Sequence, residues 1–216
     1  MTLALHCFRC GPLGNNVYLV QDRESGESVL VDAAWGSFAA HREFSQKNPN
    51  RLRAVLLTHG HWDHTAEAAL FQKHGAVPVI VGEGDREWVR HPSAAGAFPP
   101  PGLEVLSCEP DRTVAHGDRL TLLGWEWQVL SVAGHTPGGV AYLLGEAAWL
   151  FSGDTLFRGT VGRSDLPGGD GDLLLRHIHS RLLPLDDAVC VYPGHGPSST
   201  IGQERFSNPH LVDWKA

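Results

Sequence analysis

The stretch Leu52-Arg-Ala-Val-Leu-Leu57-Thr58-His-Gly-His-Trp-Asp-His-Thr65 decides how this chain folds. Leu52 to Leu57 is an almost unbroken apolar run of strand length, which suits a strand covered on both faces. Thr58 to Asp63 is a polar loop. A helix is expected from His64 to His74, with Gly75 as its cap. Val77 to Val81 is a second apolar run. Strand, helix and strand in that order predict a β-α-β unit whose strands are parallel neighbours. The loop then lies at the carboxyl end of a strand and the start of a helix, where α/β folds gather their sites.

The rest of the chain extends this pattern. Leu3 to Phe8 alternates, and Gly11 to Asn16 is dense turn chemistry. Val17 to Val20 and Ser28 to Asp32 flank the polar turn Asp22 to Glu27, a hairpin pattern. Ser37 reads as the N-cap of a helix that runs to Lys47 and is ended by Pro49. Downstream, strands are expected at Asp118 to Leu123, Trp125 to Ser131, Gly139 to Leu144 and Ala147 to Phe151. A helix from Gly171 to Leu183 and a strand from Val189 to Tyr192 follow. Residues 92–102, rich in Pro and Gly, form a surface loop that either borders a site or merely connects elements. Each half runs strands, then helix and strand. The expectation is one domain over residues 1–216 of the α/β (α+β) class, a four-layer αββα sandwich of two mixed sheets with outer helices.

Composition narrows the function. The chain has 216 residues, 42% of them hydrophobic, enough for a sizeable core. Lys and Arg number 17 against 24 Asp and Glu, a net charge of -7 that disfavours nucleic acid and anionic membranes. Cys7 and Cys10 make a C-x-x-C, but Cys108 and Cys190 supply no second pair, so reduced thiols are expected. The N-terminus does not read as a signal peptide, and no apolar run approaches the ~18 residues that span a bilayer. These features suggest a cytoplasmic protein, monomeric or a small homo-oligomer, with a small-molecule partner. What needs a cause is the 13 histidines.

Four of the potential metal ligands fall within six residues: His59, His61, Asp63 and His64. In an extended loop, positions i and i+2 point the same way, so His59 and His61 can grip one ion. Asp63 and His64, at the helix start, can reach a second. Three more ligand types follow strand ends: His135 in Gly134-His-Thr-Pro-Gly138, Asp154 in Ser152-Gly-Asp-Thr155, and His195 in Pro193-Gly-His-Gly-Pro197. A lone histidine is usually a cap or a core donor. Seven ligands at strand ends are too many for one ion and suit two sharing a carboxylate. The expected assignment is His59, His61 and His135 on one metal; Asp63, His64 and His195 on the other; and Asp154 as the bridge. The other eight histidines, among them His177 and His179, read as surface or packing residues. Trp62, inside the loop, is a candidate substrate contact.

In this order, H-x-H-x-D-H, G-H-T-P-G, S-G-D-T and P-G-H-G resemble the motif set of the metallo-β-lactamase superfamily. Asn16 to Leu19 and Leu30 to Asp32 are similar to its first strands. Ser152 to Asp170 looks like the glyoxalase II (hydroxyacylglutathione hydrolase) group, most like its short bacterial form. The resemblance implies hydrolysis of a thioester such as S-lactoylglutathione by a metal-bound hydroxide. Two divalent ions would be required, zinc first, with iron and manganese sharing the donors. Asp63 would also take up the proton of the water. Arg163 lies where the group carries a basic residue reaching a substrate carboxylate; an ion pair with Asp165 or Asp170 is the equal alternative. Only residues 196–216 follow His195, too few for the helical glutathione-binding domain of longer glyoxalase II. Persulfide dioxygenases share the motifs but use one iron, which here would fall to His59, His135 and Asp154. A lactonase or other metallo-hydrolase is a further alternative.

Overall fold

Successive strand residues point to opposite faces, and in this chain the two faces enter different cores. In the computed structural model, which describes residues 2–96 and 98–212, Ala54 and Leu56 face one core, while Val55 and Leu57 face another. That explains the apolar run from Ala54 to Leu57, both of whose faces are covered, while Arg53 before it is exposed. Val17 and Leu19 separate from Tyr18 and Val20 in the same way.

The first sheet runs in chain order through β1 (Leu3–Cys10), β2 (Asn15–Asp22), β3 (Glu27–Val31), β4 (Arg51–Leu56), β5 (Val79–Gly82) and β6 (Arg112–Val114). Strands β1 to β3 pair antiparallel and β3 to β6 parallel, so the expected β4–β5 pairing is present. The second sheet begins with β7 (Arg119–Leu122), β8 (Trp125–Ser131), β9 (Val140–Leu144) and β10 (Trp149–Gly153), an antiparallel meander. A short hairpin of β11 (Leu156–Phe157) and β12 (Thr160–Val161) follows. Then β13 (Cys190–Pro193) joins β10 in parallel and β14 (Ser199–Thr200) closes the edge.

The helices are α1 (Ser37–Lys47), α2 (Trp62–Thr65), α3 (Ala68–Gly75), α4 (Arg86–Arg90), α5 (Gly171–His177), α6 (Ile201–Ser207) and α7 (Pro209–Val212). Phe38 and Phe44 of α1 and Phe71 of α3 pack on the outer face of the first sheet. Leu174 of α5, Ile201 of α6 and Leu211 of α7 pack on the outer face of the second. Tyr18, Val31, Trp127, Tyr142 and Phe151 fill the space between the sheets. Three cores therefore separate four layers, the αββα sandwich that the sequence suggested.

Four expectations need correction. Gly75 is the last residue of α3, whose cap is Ala76, in the left-handed region at φ 48°. The helix over His64 to His74 is two helices, broken at Glu67 (φ −116°, ψ 12°). The Glu67 N–H donates to Ala33 O at 2.9 Å and the Ala33 N–H to His64 O at 2.8 Å, so a crossing strand end takes over these backbone groups. Ser37 is not the cap of α1. Gly36 holds that place in the left-handed region (φ 90°), and the Glu67 carboxylate accepts the Phe38 N–H at 2.8 Å instead. The last long helix is α-helical only to His177 and continues as a π-helical turn, Ile178–Leu182. The short elements β6, β11, β12, β14, α4, α6 and α7 carried no expectation, because two to seven residues leave too little periodicity to read. All four cysteines are free thiols.

Candidate metal centre

All seven sequence-marked ligands meet at one rim of the sandwich. His59 and His61 lie in the loop after β4, and Asp63 and His64 in the one-turn helix α2. His135 follows β8, Asp154 follows β10 and His195 follows β13. Ligand atoms of His59, His61 and His135 lie within 4.8 Å of one another, as do those of Asp63, His64 and His195, and those of His59, His64 and Asp154. Asp154 lies between the first two trios. Its Oδ1 is 3.3 Å from His64 Nε2, and its Oδ2 is 3.5 Å from His195 Nε2 and 3.8 Å from His135 Nε2.

In four of the five rings the nitrogen facing outward is held by an acceptor; His61 Nε2, by contrast, is buried without a partner. His64 Nδ1 donates to Asp32 Oδ2 at 2.8 Å, and His135 Nδ1 to Arg163 O at 2.7 Å. His195 Nδ1 lies 3.3 Å from Leu13 O. His59 Nδ1 lies 3.1 Å from Thr58 Oγ1, whose own hydrogen goes to Asp32. These partners fix the tautomers and turn the Nε2 lone pairs of four rings inward, the usual support for a metal-ligating imidazole. His61 presents Nδ1 instead, 3.0 Å from His135 Nε2.

Inside the cluster the donors are unmatched. His59 Nε2 and Asp154 Oδ1 are buried without a hydrogen-bond partner. His64 Nε2 and His195 Nε2 face each other at 3.3 Å. Lone pairs converging at these distances repel unless a cation lies among them, so the residues fit bound divalent ions. The electrostatics agree. Burial, then the neighbouring imidazoles, push His59 well below its ordinary pKa, and the same causes bring His61 down to about 4. Both are therefore neutral ligands at neutral pH. Burial opposes charge on His64 too, but Asp154, Asp63 and Asp32 outweigh it and raise its pKa. Burial would raise Asp63 and Asp154, yet the imidazoles, His64 foremost, hold both carboxylates ionised.

Three residues of the site carried no mark in the sequence. Asn15 Nδ2 donates to Asp63 Oδ2 at 2.8 Å. Asp32, in the left-handed region at φ 64°, accepts from Thr58 N–H at 2.8 Å as well as from His64. Asp85, fully buried, accepts from Gly60 N–H at 2.8 Å, Thr136 Oγ1 at 2.6 Å and Gly138 N–H at 2.6 Å. It thereby ties the His59–His61 loop to the loop carrying His135. Each acts through a tertiary contact, and no local spacing records such a contact. Gly194 shows how tightly the rim is packed: a Cβ there would meet Asp154 Oδ1 and His64 Cε1.

The centre opens into a cavity of about 620 Å³ lined by Leu13, Trp62, Phe98, Pro99 and Arg163 beside the ligands. Trp62 lines the cavity, and the loop over residues 92–102 borders the site; its Ala97 lies outside the described residues. The Arg163 side chain lines the cavity but is clamped by Asp165, Nε to Oδ1 at 2.7 Å and a terminal nitrogen to Oδ2 at 2.8 Å. Of the histidines set aside, His177 Nδ1 lies 2.9 Å from Ala133 O, a packing role.

Residues 10–195 match the family model described as the metallo-beta-lactamase superfamily. The chain belongs to the metallo-β-lactamase superfamily. This superfamily member is 38% identical to the hydroxyacylglutathione hydrolase GloC of Haemophilus influenzae, over 91% of this chain and 92% of that protein. Its fold superposes on the BLEG-1 B3 metallo-beta-lactamase with a TM-score of 0.89, at 32% identity over 97% of this chain and 100% of the other. It also superposes on TTHA1623 in a di-iron-bound form, with a TM-score of 0.82, 38% identity, and 95% and 100% covered. As a superfamily member with this His and Asp cluster, the chain is a metal-dependent hydrolase. No helix of the described residues is long and apolar enough to cross a membrane.

Proposed function

We propose that this chain is a binuclear thioester hydrolase acting on an S-lactoylglutathione-type substrate. The observation that carries two metals rather than one is Asp154. Its two oxygens face both the Asp63–His64–His195 trio and His135 of the other trio. His59, His61 and His135 would hold one ion and Asp63, His64 and His195 the second, with Asp154 shared. Zinc is the first choice, and iron and manganese accept the same donors. Two such ions would supply an acidified water and polarise a carbonyl oxygen. The 38% identity to a hydroxyacylglutathione hydrolase supports the substrate class.

The remaining chemistry belongs to the chain. Asp63 is held as a carboxylate by Asn15 and the imidazoles, ready to take up a proton at the rim of the cavity. Trp62 and Phe98 give the cavity apolar walls that displace water from a bound acyl group. Among the described residues no serine or cysteine lines it, so a serine- or cysteine-linked acyl-enzyme has no nucleophile there. A thiolate is a good leaving group, and no strong general acid is required. The test is metal analysis of the purified chain beside an assay on S-lactoylglutathione. Two ions per chain and thiol release without oxygen support the reading. One iron per chain, no thiol release, and oxygen uptake with a persulfide would replace it with the dioxygenase.

A further inference from the structure

A glutathione thioester is far longer than its acyl group, and its thiol arm needs a place to lie. Among the described residues after His195, 196–212, none lines the site cavity; Ile201 and Leu211 pin this segment to the outer face of the second sheet. Help with the arm has to come from elsewhere on the rim.

A second cavity, of about 520 Å³, lies on the far side of Pro100. Pro100 lines both cavities. On one wall Pro99 belongs to the metal-side cavity and Pro101 to the second; on the other, Leu13 belongs to the first and Pro12 to the second. The turn between β1 and β2 and the proline loop therefore each line both cavities, which adjoin at Pro100 as one cleft. Arg9 and Trp35 line its second cavity. Trp35 is 50% exposed, a large ring left open to solvent. Arg9 is the one charged residue lining the second cavity, and its side chain makes no hydrogen bond or ion pair among the described residues. Its counterpart at the metal end, Arg163, is already taken by Asp165. On a chain of net charge -7, an unpaired guanidinium lining a cleft is a local attractor for an anion.

We propose that this cleft is the thiol-arm subsite. The extended, peptide-like arm of the substrate thiol crosses Pro100, packs on Trp35 and places its terminal carboxylate on Arg9. The inference rests on the thioester reading and extends it to the leaving group. It makes Arg9 and Trp35 specificity residues, remote from the bond that breaks.

The test uses metal-loaded protein and S-methylglutathione, a thioether that cannot be hydrolysed, with binding followed by calorimetry. Arg9→Glu should weaken binding roughly five- to tenfold, the scale of an exposed charge contact turned from attraction to repulsion. The dimethyl ester of the same probe should bind Arg9→Glu and the parent protein alike, and Trp35→Ala should weaken both probes. Equal binding of S-methylglutathione by parent and Arg9→Glu overturns the subsite. Assaying S-lactoylglutathione hydrolysis on the same preparations separates the two ideas. Hydrolysis with an Arg9-independent probe leaves the thioester reading standing and removes the subsite. Arg9-dependent binding without hydrolysis keeps the arm site and removes the reaction.

Discussion

Single residues divide here into those that would touch the ions and those that aim them. In the proposed assignment Asp154 would be the shared carboxylate, so Asp154→Ala should lower metal content below two per chain and abolish hydrolysis with it. Full activity with two ions retained, read by metal analysis and thiol release, would end the bridging assignment. Asp32 works one step back. In Asp32→Asn the amide nitrogen can stand where Oδ2 accepts the His64 Nδ1 hydrogen. The ring would lose its acceptor or switch tautomer. Metal affinity at the Asp63–His64–His195 trio should fall roughly 10- to 100-fold, measured by competition with a chromophoric chelator. The two kinds of residue differed in legibility for a physical reason. Ligands must converge, and short motif loops at strand ends achieve that within a few residues, so all seven could be read. Asp32 lies 32 residues from His64, and Asn15 lies 48 from Asp63. Nothing local distinguishes either from a turn or strand-end polar residue.

At the scale of elements, the site depends on how the strand-end loops are tied together. The segment after β5 inserts Asp85 between the His59–His61 loop and the His135 loop, where it satisfies three donors with two oxygens. Asp85→Asn replaces one acceptor by a donor facing another donor, a penalty a buried site cannot relieve with water. The trio of His59, His61 and His135 should weaken toward metal by roughly tenfold or more, while the other trio keeps its ion. A titration showing both sites weakened equally would mean that Asp85 serves the fold and not this loop. Gly138 is part of the same junction, where an added Cβ would meet the backbone of Gly84 and Asp85. Gly138→Ala should cost about 2 kcal/mol or more, seen as a lower urea midpoint at unchanged slope. The strands of this frame were readable because covered strands are apolar throughout. The helix over His64 to His74 was misread because the sequence does not show that Ala33 would claim the backbone of His64 and Glu67.

At the scale of the whole molecule, the two halves of the sandwich each bring part of the ligand set: His59, His61, Asp63 and His64 from the first, and His135, Asp154 and His195 from the second. Bound ions would cross-link the sheets, so chelation should lower Tm, and the metal-free protein should show the cost of its unmatched donors as a pH profile. His59 and His61 have folded pKa values below the ordinary 6.5, His61 at about 4. Below 6.5 the unfolded chain takes up protons that these buried rings refuse. Their contribution is present above 6.5 and is lost as the pH falls, by about 1.4 kcal/mol per unit for each ring still neutral. His64 and His195 are raised above 6.5: burial opposes their charge, but Asp154 and Asp63 on both, and Asp32 on His64, overcome it. Their contribution is complete below 6.5 and is lost as the pH rises through their folded values. The two pairs thus act on opposite sides of one point. The metal-free protein should be most stable near pH 6.5 and weaken in both directions, which a series of thermal melts in chelator would read directly. Metal loading should flatten the alkaline limb, because ions in place of protons hold His64 and His195 to the carboxylates, and loading near pH 7 should release protons. A metal-free melt that rises steadily through pH 8 would show that His64 and His195 do not carry the charge that the carboxylates around them demand.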